Sequence, residues 1–177
     1  MNVLEVLTTL AQQFPANMTP QVLGNVLFAG KQPMDVQLTP TFVLGTMCIA
    51  FAALVRKVCY RYMGRMFTFE LSIRDDHKLI TDGPYAMVRH PGYGAMYVHI
   101  AGLVLCQLGD GSWWAQYGIY SGVGRGLGLT VMGQLVAFML AFLARVDLED
   151  RTLESTFKEQ WYRWREKTPY KLFPWVY

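Results

Sequence analysis

A short polar passage, residues 77–93, reads His77-Lys-Leu-Ile-Thr-Asp-Gly-Pro-Tyr-Ala-Met-Val-Arg-His-Pro-Gly-Tyr93 and leads directly into an apolar segment. It holds two imidazoles, two phenols, an arginine and two X-Pro steps. This density of donors, acceptors and aromatic faces beside an apolar helix indicates a ligand site. The alternative from composition alone is a basic loop whose Gly-Pro and His-Pro steps only stop and restart helices.

The composition of the 177-residue chain is typical of a membrane protein, with 53% hydrophobic and 14% aromatic residues. Its length predicts a single domain over residues 1–177. Cys48, Cys59 and Cys106 have neither CxxC nor metal-ligand spacing, so we predict no metal site and no disulfide framework. No basic region followed by an apolar core and a cleavage site opens the chain, which predicts that no secretory signal is removed.

The first 35 residues are apolar only in part. Residues 6–30 carry no charge, but Pro15 and Pro20 interrupt them. Leucines at helical spacing before Pro15 favour an interfacial helix followed by a short second helix. A helical hairpin that dips into the bilayer is the alternative.

Three further segments are long and apolar enough to be membrane helices. They are Val36 to Val55, Pro91 to Leu108, and roughly Gly126 to Ala144. The first is expected to continue past the membrane as a basic and aromatic stem. The segment from Gly109 to Arg125 is rich in glycine, tryptophan and tyrosine, which is typical of an interfacial loop. His99, within the second helix, is explained equally well by a hydrogen bond to a neighbouring helix and is left out of the predicted site.

The basic residues are distributed unevenly over this three-helix arrangement. One side of the membrane would hold fourteen of the sixteen: Arg56, Lys57, Arg61, Arg65, Arg74, Lys78, Arg89, Arg145, Arg151, Lys158, Arg163, Arg165, Lys167 and Lys171. Only Lys31 and Arg125 would lie on the other side. Because positive loops stay in the cytoplasm, the polar passage and the tail are both expected to face the cytoplasm.

The tail after the third helix carries a second polar constellation. Arg145, Glu149 and Leu153 are spaced by four, so they share one face of a helix that continues out of the membrane. A solvated ion pair between Arg145 and Glu149 is the alternative. An aromatic helix from Phe157 to Trp164 is expected to end near Thr168, and the closing hydrophobic strip to fold back onto the membrane or the site.

These two segments together resemble one protein family. The pattern His77-Lys-Leu-Ile-Thr-x-Gly-Pro-Tyr85, then Val88-Arg-His-Pro-x-Tyr93, is followed by Arg145-x-x-x-Glu-Asp-x-x-Leu153-x-x-x-Phe157-x-x-x-Trp161-x-x-Trp164 and Thr168-Pro169. In order and spacing it is similar to the integral-membrane isoprenylcysteine carboxyl methyltransferases, over about the last 110 residues. Asp150 departs from the pattern, since a second glutamate is usual there.

The apolar segments and the distribution of basic residues predict an all-α polytopic membrane protein with about three transmembrane helices, fewer than in many members of that family. The resemblance implies an S-adenosylmethionine site built by the loop and the C-terminal helices. Residues 1–35 would be the interfacial segment, 36–108 the first two helices with the cofactor loop, and 109–177 the third helix with the catalytic tail. The implied cofactor-binding residues are Glu70, His77, Lys78, Leu79, Ile80, Tyr85, His90, Pro91, Gly92, Tyr93 and Glu149. Glu70 stands where the prenylcysteine enzymes carry a glutamine. Arg145 and Glu149 would be the catalytic pair, with Arg145 facing the substrate.

The implied reaction is methylation of a carboxylate on a membrane-associated lipidated substrate, most simply a C-terminal prenylcysteine. A carboxylate is already ionised and needs no general base, whereas an amine would need one, for which Glu149, Asp150 or His90 are the candidates. The alternatives are a phospholipid or other small-lipid methyltransferase and a non-catalytic scaffold that binds anionic lipid. The expected partners are a prenylated protein or lipid and the membrane, without nucleic acid. The expected location is the endoplasmic reticulum if the protein is eukaryotic.

Overall fold

The computed structural model describes residues 38–66, 78–109 and 112–177. The interfacial segment expected for residues 1–35 lies outside this part of the chain, as do Glu70 and His77. All regular structure within the described ranges is helical, in agreement with the all-α prediction. The longer helices are α1 (Pro40–Met63), α2 (Pro91–Leu108), α4 (Gly122–Phe157) and α5 (Glu159–Lys167), and α3 (Trp113–Gln116) is a single turn. Three 3₁₀ turns, Gly64–Met66, Gly83–Ala86 and Gly118–Tyr120, connect them.

Helices α1 and α4 are long and apolar enough to cross a membrane. Their apolar windows are almost entirely unburied by the rest of the chain, and large side chains such as Phe51, Leu54 and Leu140 are exposed. A helix of 36 residues extends about 54 Å, well beyond a hydrocarbon core of about 30 Å. The uncharged residues 126–144 of α4 can therefore cross, which leaves the charged end from Arg145 onward outside.

Prolines and polar caps set the helix starts. Pro40 and Pro91 each occupy the first helical position. A backbone N–H at this position has no acceptor within the helix, so proline loses no hydrogen bond there. The Thr39 hydroxyl accepts a hydrogen bond from the Phe42 N–H at 3.3 Å and so caps α1. The bounds of α2 are those predicted from the sequence, and α1 continues past the predicted crossing through Met63 as the expected stem.

The segment before α4 is shorter and more regular than the predicted loop from Gly109 to Arg125. Residues 113–120 form the short helical turns, and α4 begins at Gly122, four residues earlier than expected. The Ser121 hydroxyl accepts from the Gly124 N–H at 2.8 Å, which caps the new helix. The sequence interpretation placed the start too late because alternating glycines have weak helix propensity, and this cap compensates for it.

The described residues divide into two units: residues 38–48 with 101–109 and 112–136, and residues 49–66 and 78–100 with 137–177. In the first unit, α1 and α2 pack closely at Gly45. A Cβ added there would lie 2.6 Å from Cys106 Sγ and 2.7 Å from the Gly102 carbonyl oxygen. Small residues thus bring the helix backbones together, as expected for membrane helices. The second unit contains both segments of the predicted site.

Candidate functional site

The loop before α2 is joined to the tail through the main chain. The N–H groups of Arg89 and His90 donate to the carbonyls of Tyr170 and Lys171, at 2.9 and 2.8 Å. The tail can approach this closely because α2 has a glycine beside it: a Cβ on Gly94 would lie 2.6 Å from the Leu172 carbonyl oxygen. The closing strip therefore folds back onto the site, one of the two positions expected for it.

Two tail side chains hold the preceding turn of the loop. The indole of Trp164, on α5, donates to the Tyr85 carbonyl at 3.0 Å. The Thr168 hydroxyl donates to the Ala86 carbonyl at 3.3 Å. Trp164 and Thr168 are buried, so the donor side of each bond is shielded from water. The tail thus stabilises the backbone conformation of residues 85–90, in addition to their own sequence.

Arg89 is the centre of this junction. Its buried guanidinium forms a two-point contact with Asp150, with Nη2 3.1 Å from Oδ2 and Nε 3.4 Å from Oδ1. Its Nη1 donates to the carbonyls of Thr168 and Pro169, at 3.0 and 2.7 Å. A buried charge is tolerated only when it is paired and hydrogen-bonded, and Arg89 satisfies both conditions.

His90 lies between two acidic residues of α4. Its Nε2 is 2.8 Å from Asp150 Oδ1, and its Nδ1 is 3.9 Å from Glu149 Oε2. Burial alone would raise the pKa of Asp150, but the hydrogen bonds from His90 and Arg89 outweigh burial and lower that pKa below its ordinary value. Asp150 therefore stays ionised, and the imidazole presents its Nε2–H to it. Glu149 is less enclosed, with a quarter of its side chain exposed.

Tyr93 connects the first turn of α2 to the charged end of α4. Its hydroxyl accepts a hydrogen bond from Arg145 Nε at 2.8 Å. Its ring packs against Phe142 and against the imidazole of His90, with centroids 5.7 and 5.9 Å apart. Arg145 and Tyr93 are both partly exposed, so this pair borders the site rather than the protein interior.

Tyr85 contacts the stem of α1. Its hydroxyl and the Cys59 thiol form a side-chain hydrogen bond. Burial, followed by the negative charge of neighbouring groups including Glu149, raises the pKa of Tyr85 far above its ordinary value. The phenol is thus neutral at physiological pH. Gly83 lets the stem approach, since its φ is +60° and a Cβ there would overlap the Tyr62 ring.

The remaining predicted residues lie around this cluster. Lys78 is exposed, Leu79 and Ile80 are partly exposed, and Pro91 is buried. A Cβ on Gly92 would meet no atom within 4 Å, so open space adjoins the start of α2. The structure thus assembles Tyr85, His90, Tyr93, Arg145 and Glu149 in one unit, whereas Glu70 and His77 lie outside the described residues.

Sequence reasoning missed the structural importance of two residues. Arg89 was recognised only as part of a motif, and Asp150 only as a departure and a possible base. One signal was present in the sequence. Each is a charged residue adjacent to a residue predicted to bind the cofactor, where an unpaired charge would be costly. Their separation of 61 residues hid the pairing itself.

Comparison with known proteins supports the same interpretation. Residues 43–109 match the model of the isoprenylcysteine carboxyl methyltransferase (ICMT) family, a segment that includes the loop motif and ends before the tail motif. A probable protein-S-isoprenylcysteine O-methyltransferase of Oryza sativa subsp. indica is 36% identical over 67 residues, covering 36% of this chain and 35% of that protein. The Dictyostelium discoideum protein-S-isoprenylcysteine O-methyltransferase is 39% identical over 57 residues, covering 31% and 24% of the two chains.

A fourth comparison gives a longer match. Protein-S-isoprenylcysteine O-methyltransferase B of Arabidopsis thaliana is 24% identical over 129 residues, covering 71% of this chain and 55% of that protein. The matches thus span about a third of the rice relative and just over half of the Arabidopsis relative. No solved structure matches the chain. The matching segment and the loop motif within it make residues 43–109 of this chain similar to the isoprenylcysteine carboxyl methyltransferase family.

Proposed function

We propose that this protein transfers a methyl group from S-adenosylmethionine to the carboxylate of a prenylcysteine at the membrane. The observation that carries the proposal is the convergence of Tyr93, Arg145 and Glu149, which joins the loop motif to the tail motif. The two motifs are remote in sequence, and together they provide a carboxylate, a guanidinium and a phenol at one partly exposed place. Such a set can hold a cationic donor and an anionic acceptor side by side.

The side chains present fit S-adenosylmethionine. Glu149 is exposed enough to accept hydrogen bonds from ribose hydroxyls or an ammonium group. Within the described ranges, no residue hydrogen-bonds the main chain of Leu79 or Ile80, which leaves polar groups for an adenine edge. The open space beside Gly92 would admit part of the cofactor next to Tyr93, whose ring face can stabilise a sulfonium.

The cofactor supplies an electrophilic methyl group, whose bond to sulfur breaks as a carboxylate oxygen takes the methyl. Arg145 would hold that carboxylate, since its planar guanidinium can donate two parallel hydrogen bonds. The Tyr93 hydroxyl orients Arg145 by accepting from Nε. No proton has to be removed, so the protein contributes alignment and exclusion of water.

His90 is assigned a positioning role in this proposal. Its ring is buried between Asp150 and Glu149, so it fixes the two carboxylates relative to the loop. Asp150 is engaged by Arg89 and His90 and is poorly placed to act as a general base. This arrangement favours an acceptor that is already ionised over an amine, which would require such a base.

We further propose three membrane crossings, by α1, α2 and residues 126–144 of α4. The site then faces the cytoplasm, in the endoplasmic reticulum if the protein is eukaryotic, because the basic residues gather on that side.

The test is made on the purified full chain in detergent. Binding of S-adenosylhomocysteine is measured first, and a scaffold without a cofactor site would show no saturable binding. Methyl transfer is then compared between farnesylcysteine and phosphatidylethanolamine. Ester formation on farnesylcysteine alone supports the proposal, whereas methylation of the phospholipid amine alone would replace it with the small-lipid alternative.

A further inference from the structure

A groove lies between α1 and α2, apart from the residues assigned to methyl transfer. It is open to the surface, has a volume of about 380 Å³ and is lined by Ala53, Arg56, Lys57, Tyr60, Met96 and His99. The four residues of α1 are spaced by three, four and seven, so they form one helical face. The two residues of α2 are spaced by three and form the opposite wall.

The groove is mainly apolar, and its two charged side chains, Arg56 and Lys57, are cationic. Arg56 donates to the Tyr60 hydroxyl and, more weakly, to Met96 Sδ at 4.0 Å. Both acceptors are neutral. Among the described residues, no carboxylate forms a salt bridge with Arg56 or Lys57. Two positive charges at the end of an apolar helix thus lack a negative partner within this part of the protein.

Helix α1 also exposes large apolar side chains outside the groove, which suit contact with lipid. Phe51 and Leu54, on other faces of α1, are 59% and 62% exposed. Arg56 and Lys57 follow directly after the apolar stretch that can cross the membrane. Basic pockets at this depth, between helices on the cytoplasmic side, bind anionic lipid headgroups.

We propose that this groove binds a membrane phospholipid with an anionic headgroup. Arg56 and Lys57 contact the phosphate, His99 and Tyr60 supply further polar contacts, and one acyl chain lies along Ala53 and Met96. The occupant is a bilayer lipid rather than free phosphate, because the lining is mostly apolar. It is not the methyl acceptor, because neither Arg145 nor Glu149 lines the groove.

The experiment measures equilibrium binding of short-chain phosphatidylglycerol to the full chain in an uncharged detergent, without cofactor. We expect saturable binding at 0.15 M salt that phosphatidylcholine does not reproduce. Arg56→Gln should weaken it about fivefold, since each cation near a lipid phosphate contributes on that scale. The matched control is Arg61→Gln, an exposed arginine on the same helix outside the groove, which should leave affinity within about twofold because of screening.

A second variant tests the apolar part without altering charge. Ala53 is exposed, so Ala53→Trp should fold normally while filling the groove, and it should also abolish saturable phosphatidylglycerol binding. Equal losses in Arg56→Gln and Arg61→Gln would overturn the proposal, as would phosphatidylcholine binding of the same strength. Displacement by inorganic phosphate or by farnesylcysteine would overturn it too, by assigning the groove to free phosphate or to the methyl acceptor. Failure here leaves the methyl-transfer proposal intact, because no cofactor takes part.

Discussion

Arg89 Nη2 lies 3.1 Å from Asp150 Oδ2, and both side chains are nearly inaccessible to solvent. This ion pair joins the loop before α2 to the charged end of α4. Nη1 of the same guanidinium donates to two tail carbonyls, so one side chain connects three segments. The site depends on this junction even though neither residue is expected to touch a ligand.

Removing one partner of this pair should destabilise the protein strongly. Asp150→Asn leaves a buried guanidinium without its counter-charge, so we expect a loss of about 3 kcal/mol in the free energy of unfolding. Denaturant titration in detergent measures the change. Arg163→Ala is the control, because the Arg163 and Glu159 side chains are both 74% exposed and their pair should matter little. Similar losses in the two variants would show that the Arg89–Asp150 pair stabilises the protein no more than an exposed ion pair does.

Replacing Arg145 should impair use of the methyl acceptor and spare the cofactor. Arg145→Lys keeps the charge but loses the planar fork and the Nε donor to Tyr93. We therefore expect a raised KM for farnesylcysteine with an unchanged Kd for S-adenosylhomocysteine. A Kd that rises together with the KM would assign Arg145 to the cofactor instead.

Glu149→Gln should have the opposite pattern. Loss of a hydrogen bond to a charged acceptor would weaken S-adenosylhomocysteine binding by about 1.5 to 3 kcal/mol, with a smaller effect on the KM for farnesylcysteine. Isothermal titration gives the first quantity and steady-state kinetics the second. If both this variant and Arg145→Lys lose stability alike and neither changes binding, the two residues have only a structural role.

His90→Ala should weaken cofactor binding more than Tyr85→Phe. The first variant removes the ring that contacts Asp150 and lies beside Glu149, whereas the second removes one hydroxyl and its hydrogen bond to Cys59. A single hydrogen bond contributes about 0.5 to 1.5 kcal/mol, so Tyr85→Phe should weaken binding about tenfold at most. Negligible effects from both variants would exclude the loop from the cofactor site.

Gly94→Ala should separate the tail from α2. The new Cβ would meet the Leu172 carbonyl oxygen at 2.6 Å, a contact that only a shift of the backbone can relieve. We expect lower stability and lower affinity for S-adenosylhomocysteine. Gly133→Ala is the matched control, since it is also a helical glycine but has no atom within 4 Å of an added Cβ. It should be neutral or slightly stabilising, by up to about 1 kcal/mol.

The sequence was most informative where local patterns determine structure. The bounds of α2 were predicted from Pro91 and from the end of the uncharged run at Leu108. A proline favours the first position of a helix, and an apolar helix ends where polar groups become solvated. The start of α4 was wrong by four residues because a serine cap compensates for weak helix formers. The contact between loop and tail was foreseen from charge distribution and motif resemblance, not from periodicity.

The pairing within the site could not be predicted from the sequence alone. Asp150 and Glu149 are adjacent acidic residues, and only their three-dimensional contacts distinguish an ion-paired carboxylate from a partly exposed one. The roles of the predicted cofactor and substrate residues stay predictions, since they concern contacts with ligands.

The tail bonds of Arg89 also have a consequence for synthesis of the chain. Its two carbonyl partners lie 79 and 80 residues further along. At about 5 to 20 residues per second, a ribosome needs roughly 4 to 16 s to make that length. Throughout this interval the guanidinium lacks its two carbonyl acceptors, and Asp150, 61 residues further along, is made only in the last part of it. Arg89 and His90 therefore lack their bonds to the tail until the tail has been made.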